Sequence, residues 1–168
     1  MPLVGKNKKM EKERDTEGAF KWIINILQKH NVPFQIKGGF ASNLYGVKRE
    51  LADIDISIPE NRFDELLPDI KDFIKYGPEQ YLDEEWDIKL ITLKYKGQYI
   101  DIAGAFEKKN FDKINKQWVA TPSNFENSVY MDVYGLRVPV IAKEDLIAYK
   151  KLILRDVDKI DIENLEKN

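Results

Sequence analysis

Residues 52–58 read Ala-Asp-Ile-Asp-Ile-Ser-Ile and stop at Pro59. Strict alternation of acid and apolar residues marks a β-strand with two unlike faces. Asp53 and Asp55 then share one face, about 7 Å apart at their Cα atoms, and Ile54 and Ile56 occupy the other. A fold that contains this strand must cover the isoleucines with a core. It must also place something positive against the aspartates, because two ionised carboxylates at that spacing repel each other.

A divalent cation meets that need. Mg²⁺ prefers oxygen ligands and commonly takes one or two carboxylates together with phosphate oxygens and water. Tyr99-Ile100-Asp101-Ile102-Ala103 offers a third acid in a second alternating strand. If the two strands are neighbours, Asp101 projects to the same face. Three carboxylates can hold two Mg²⁺ ions, or hold one while the third accepts a proton. Upstream, Phe34–Lys37 reads as a short strand running into Gly38-Gly39, with a short helix over residues 41–46. Glycine lets backbone approach a phosphate, and amides at a helix start favour its charge. Ser42 adds a hydroxyl, and Lys48 and Arg49 add positive charge. Taken singly, each part has a plainer reading: a turn for the diglycine, an edge strand with a wet polar face for the two acids. The ordered set points to a Mg²⁺-bound nucleoside triphosphate.

The rest of the chain supplies a frame for these strands. Ala19, Phe20, Trp22, Ile23, Ile26 and Leu27 recur at helical spacing from Thr16, and Pro33 stops that helix just past His30-Asn31. His30 is read as a helix C-terminal residue favoured by the dipole. Asn61–Leu67 and the following residues read as helix up to Tyr76-Gly77-Pro78. Trp86–Tyr95 and Gln98–Ala103 form a hairpin about Lys96-Gly97, and Tyr130–Val133 and Leu136–Val140 form another about Tyr134-Gly135. Residues 107–127 read as an irregular surface loop with room for one short element. From Asp145 the period returns to helical, with a turn near Arg155 and a second short helix. The expectation is an α/β (α+β) domain: a mixed, twisted sheet of about five strands flanked by helices. It spans residues 1–168, with 1–15 as a charged lead-in and 143–168 as a C-terminal helical segment.

Composition removes several chemistries. There is no cysteine and one histidine, which excludes thiolate sites and leaves no basis for histidine-rich metal sites or a Ser–His–Asp triad. Any chemistry rests on carboxylates, Lys, Arg and hydroxyls. No apolar run approaches the roughly 18 residues of a membrane span, and residues 1–9 lack the apolar core of a signal peptide. A cytoplasmic protein is expected. Net charge is −2, so no global basic field favours a nucleic-acid backbone, and nucleic acid is a possible but not a favoured partner. Tyr81, Trp86, Tyr95, Tyr99, Phe106, Phe111 and Trp118 supply core or a stacking wall, and the acidic run Asp83-Glu84-Glu85 is a solvated loop or an attractor for a cation.

The run Gly38-Gly39-Phe40-Ala41, then Leu44-Tyr45-Gly46, Arg49 and Asp53-Ile54-Asp55-Ile56 resembles the signature of the nucleotidyltransferase superfamily that includes DNA polymerase beta. Within it the chain most resembles the small lincosamide-type antibiotic nucleotidyltransferases and the minimal and abortive-infection proteins. Asp145–Lys150, Arg155, Asp158, Asp161-Ile162 and Leu165 resemble the C-terminal helix pattern of the same group, with Val157 where that pattern carries lysine. The resemblance implies a nucleotidyltransferase fold. Asp53, Asp55 and Asp101 would be catalytic and metal-binding, and Gly38, Gly39, Ser42, Arg49 and Lys150 would bind nucleotide. For Lys150 a salt-bridged helix pair is the competing reading. The implied reaction is Mg²⁺-dependent transfer of a nucleoside monophosphate to a hydroxyl of an antibiotic-like small molecule. Alternatives are a toxin-type enzyme acting on tRNA or protein, and a non-catalytic nucleotide-binding regulatory module.

Overall fold

The computed structural model describes residues 14–168, so the expected lead-in lies almost wholly outside the described residues. Helix α1 (Thr16–Lys29) starts where Asp15 accepts the Gly18 amide at 2.8 Å, and His30 closes it. His30 Nε2 meets Asp69 Oδ2 at 2.6 Å, so the ring sits at the helix C-terminus as its position in the sequence suggests.

Among the described residues, one mixed sheet of nine strands forms the centre. In chain order these are β1 (Gln35–Lys37), β2 (Asp53–Ile58), β3 (Ile74–Leu82), β4 (Trp86–Tyr95), β5 (Gln98–Gly104), β6 (Lys109–Asp112), β7 (Gln117–Ala120), β8 (Val129–Val133) and β9 (Leu136–Val140). Their spatial order is β7-β6-β4-β5-β2-β1-β9-β8, with β3 on the other edge of β4. The pairs β2/β5 and β1/β9 are parallel and the others antiparallel. Both expected hairpins are present. Lys96-Gly97 and Tyr134-Gly135 have positive φ at both central residues, the backbone that matches strand twist in a two-residue turn.

The sheet has more strands than the roughly five expected, and the three outside the segments read as strands lie in two places. The first is β3, which begins at Ile74 within the end of the stretch expected to be helical and continues past it. The segment before it is helical as expected, with 3₁₀ turns over Glu60–Leu66 and Lys71–Phe73 on either side of α3 (Leu67–Ile70). Gly77-Pro78 falls at a register shift between Tyr76 and Glu79, on a strand that pairs on one side only. A proline is tolerated there because no ladder bond is lost. The second place is the expected loop over 107–127, which holds the short strands β6 and β7.

Alternation sorts the sheet into two faces. Ile54, Ile56, Ile58, Ile91, Leu93, Ile100 and Ile102 pack under Phe20, Ile23, Ile24 and Leu27 of α1 in the main core. Helix α2 (Gly38–Leu44) adds Phe40 and Ala41 to it. Each such side chain contributes roughly 1.5–3 kcal/mol by leaving water. The opposite face carries a smaller core of Trp86, Ile88, Leu90, Ala103 and Ile153. Helices α4 (Lys143–Ile153) and α5 (Asp156–Lys167) pair with each other, and α4 lies against this face. The acids share that face. Among the described residues no helix is long and apolar enough to cross a membrane.

Candidate active site

Four neighbouring strands place one residue each in a row across the acidic face. Lys37 of β1 stands opposite Asp55 of β2, Asp55 opposite Asp101 of β5, and Asp101 opposite Thr92 of β4. Asp53 lies two residues before Asp55 and so on the same face. The side chains of Asp53, Asp55 and Asp101 each bring an oxygen within 4.8 Å of the others. Asp55 and Asp101 are buried, while Asp53 is half-buried at the strand end. The Thr92 hydroxyl donates to Asp101 Oδ1 at 2.7 Å and fixes that carboxylate. An all-oxygen, all-carboxylate set of this size suits a hard cation such as Mg²⁺.

A cleft of about 220 Å³ adjoins the acids, lined by Gly38, Gly39, Arg49, Asp53, Asp55, Lys150, Arg155 and their neighbours. Gly38 is at φ +62°, and a Cβ built there would overlap the Asp55 carboxylate. A Cβ on Gly39 would come within 2.7 Å of the Arg49 guanidinium. The diglycine therefore seats one acid and one cation. Gly38→Ala is expected to lose about 1–2 kcal/mol to left-handed backbone alone and to displace Asp55 as well. A denaturant melt measures the first effect, and loss of Mg²⁺-dependent stabilisation measures the second. A variant with unaltered melting and unaltered Mg²⁺ response would count against this role for Gly38.

The other expected nucleotide residues divide. Arg49 lines the cleft and forms a two-point ion pair with Asp161 of α5, at 2.9 and 3.0 Å. Lys150 also lines the cleft, yet it is buried and meets Asp161 at 2.9 Å and Asp158 at 3.4 Å. Its salt-bridged reading thus holds alongside its cleft position. Ser42 is the correction. Helix α2 begins at Gly38 rather than at residue 41, so Ser42 lies one turn in, facing the core. It is fully buried, its hydroxyl donates to the Gly38 carbonyl at 3.3 Å, and it is not part of the cleft wall. Val157 lines the cleft where the family pattern has lysine.

Three residues in the site were given no role there from the sequence, although Tyr149 and Arg155 fall within the C-terminal pattern. Arg155 lies over the Trp86 ring at 4.8 Å and grips Asp158. Lys37 is placed opposite Asp55 only by strand register, which a lone sequence does not display. Tyr149 receives a bond from Trp86 Nε1 at 2.7 Å, and burial pushes its phenol well above the ordinary tyrosine range. The Asp83 carboxylate caps the Glu85 and Trp86 amides at the β3–β4 turn, so it is spent on that turn. Of the aromatic residues, Trp86 and Tyr99 are buried, while Phe106 and Trp118 are substantially exposed.

Residues 20–165 match the family described as aminoglycoside-2''-adenylyltransferase. No curated protein matches the chain. Among solved structures, a Thermotoga maritima protein assigned to the nucleotidyltransferases aligns at TM-score 0.64 and 20% identity, covering 93% of this chain and 95% of that one. The lincosamide antibiotic adenylyltransferase LnuA, with lincomycin bound, aligns at TM-score 0.60 and 19% identity, over 92% and 98% of the two chains. ANT(2'')-Ia in complex with adenylyl-2''-tobramycin aligns at TM-score 0.56 and 17% identity, over 89% and 86%. At these identities the likeness establishes the fold.

Proposed function

We propose that this chain, which belongs to the aminoglycoside-2''-adenylyltransferase family, moves a nucleoside monophosphate from a triphosphate to a hydroxyl of a small, antibiotic-like molecule in a Mg²⁺-dependent reaction. The observation that carries the reading is the convergence of Asp53, Asp55 and Asp101 beside a cleft that contains Gly38 and Gly39. A structural use of three carboxylates packed this closely would be costly, since their charges repel.

Asp53, Asp55 and Asp101 would hold the metal. When bound, Mg²⁺ supplies neutralisation of the triphosphate and of the acids. The acceptor hydroxyl attacks the α-phosphorus in line, the bond to pyrophosphate breaks, and pyrophosphate leaves. Asp101, held by Thr92, accepts the proton of the attacking hydroxyl. Gly38 and Gly39 keep side chains out of the phosphate path. Arg49, Lys150 and Arg155 share two carboxylates, Asp158 and Asp161, so this ion network carries one positive charge in surplus beside the cleft, and a bound metal would offset Asp53 and Asp55. That surplus favours a triphosphate and opposes charge build-up as pyrophosphate departs.

Incubation with each labelled triphosphate and Mg²⁺, against lincosamides, aminoglycosides and bulk tRNA, tests the reading. The expected result is label on a small molecule with release of pyrophosphate, abolished by chelation. Calorimetry that detects no Mg²⁺–triphosphate binding would sink it, and label on tRNA would redirect it to a macromolecular acceptor.

A further inference from the structure

Among the described residues, four cationic side chains line the glycine cleft, and three of them are paired. Arg49 meets Asp161, Lys150 meets Asp158 and Asp161, and Arg155 meets Asp158. The fourth is Lys37. It is 7% exposed, and among the described residues no carboxylate lies within 4.0 Å of its ammonium. Its partners are neutral: it donates to the Ser123 hydroxyl at 3.3 Å and lies 5.1 Å from the centre of the Tyr149 ring.

Position sets Lys37 apart as well. A second cavity, about 320 Å³, shares two lining residues with the cleft, Lys37 and Tyr149. Lys108 and Asp145 line the second cavity alone. The β1–β2 register sets Lys37 opposite Asp55, in the row that also carries Asp101. Lys37 therefore stands where the two cavities meet, beside the triad. With the triphosphate in the cleft and the acceptor in the second cavity, the group at that junction is the α-phosphoryl that passes between them.

A buried ammonium is costly without an opposing charge. Burial draws the Lys37 amine below the usual lysine range, and the charges of Asp55 and Asp145 oppose that shift from beyond 4.0 Å. Both acids have other uses. Asp55 belongs to the triad, and Asp145 accepts from Asn127 at 2.9 Å. A metal on the triad would offset Asp55 and leave the ammonium with less opposing charge. A phosphate oxygen at the junction supplies it through a charge-assisted hydrogen bond.

We propose that Lys37 is the cation that holds the reacting phosphorus: its ammonium donates to a non-bridging oxygen of the α-phosphate, while Arg49, Lys150 and Arg155 serve the β- and γ-phosphates. The inference rests on the nucleotidyl-transfer reading and adds the contact at the transferred group. No bond to Lys37 forms. Its charge offsets that of the non-bridging oxygens as the hydroxyl adds and pyrophosphate leaves.

The test is calorimetry on the full chain in Mg²⁺ with two probes. One is the α,β-methylene analogue of ATP, which presents an α-phosphorus, and the other is pyrophosphate, which has none. In Lys37→Met the analogue is expected to bind at least about ten-fold more weakly, as loss of a charge-assisted bond implies, and pyrophosphate within about two-fold of wild type. Lys108→Met is the control. It removes a second buried ammonium, 4.6 Å from the same ring, that lines only the other cavity, and it should leave both probes within about two-fold. The proposal is overturned by unchanged analogue affinity in Lys37→Met, by equal weakening of pyrophosphate, or by equal weakening of the analogue in Lys108→Met. Failure of the wild-type chain to bind the analogue would instead remove the nucleotidyl-transfer reading. Methionine replaces a desolvated charge with an apolar chain, so loss of folding is not expected. Lys37→Gln, neutral and of similar reach, carries the same expectation where methionine disturbs the fold.

Discussion

Replacement of Asp101 by Asn is expected to leave a folded protein that has lost nucleotidyl transfer by roughly 10²–10⁴-fold, the range for removal of a positioned general base. The fold should survive for a local reason. Asparagine has the same shape as aspartate and can still accept the Thr92 hydroxyl that meets Asp101 at 2.7 Å. Removal of one charge from three carboxylates within 4.8 Å of one another also relieves repulsion in the metal-free protein. The metal-free melting temperature should therefore be equal to or above wild type. Added Mg²⁺ should raise the wild-type melting temperature by mass action and raise that of the variant much less. Asp55→Asn should behave alike in turnover, since Asp55 is the direct register partner of Asp101. Near-wild-type turnover by Asp101→Asn, with its Mg²⁺ response intact, would exclude the triad as the reacting centre.

How far the sequence reveals this arrangement depends on how local each signal is. Asp53-Ile54-Asp55-Ile56 declares its own two faces, because strand alternation is written in consecutive residues. The hairpin about Lys96-Gly97 is equally local, and it delivers Asp101 to the sheet. What places Asp101 beside Asp55 is the parallel pairing of β2 with β5, a contact between residues 46 positions apart. A resemblance to a family can supply that pairing where a lone sequence cannot. The same reasoning explains Lys37, which belongs to no motif and is set opposite Asp55 only by the register of β1 against β2. Ser42 shows the opposite error. Three residues past the diglycine, it looks well placed for a phosphate until the helix is seen to start at Gly38, which turns the hydroxyl inward. Strand β3 was hidden by Gly77-Pro78, which reads as a break in any strand except one at an edge.

The ion network behind the cleft separates the two readings of Lys150. Asp161 accepts both Arg49 and Lys150 and is itself fully buried, so it joins the loop before β2 to α4 and α5. Asp161→Ala is expected to destabilise the protein by about 3–5 kcal/mol, the cost of removing one partner from a buried pair. It leaves the Lys150 ammonium with Asp158 at 3.4 Å, a carboxylate already held by Arg155. Lys150→Met should cost far less stability, because Asp161 retains Arg49 and Asp158 retains Arg155. Its main effect should be on the cleft, where the ion network loses its surplus positive charge, and binding of Mg²⁺–triphosphate should weaken. The network also has a pH signature. Burial alone would raise the Asp158 carboxyl, but its bonds to Arg155 and the Lys150 charge bring the net shift below the usual aspartate value. A depressed folded-state pKa stabilises the fold above the unfolded value of about 3.9 and is lost as pH falls through the folded value. Acid unfolding of wild type should therefore steepen below about pH 4, and an Asp158→Asn variant should lose that part of the slope. A Lys150→Met protein that is as unstable as Asp161→Ala, yet binds Mg²⁺–triphosphate normally, would make Lys150 a structural residue only. Equal stability to wild type with weakened binding would assign it to the phosphates.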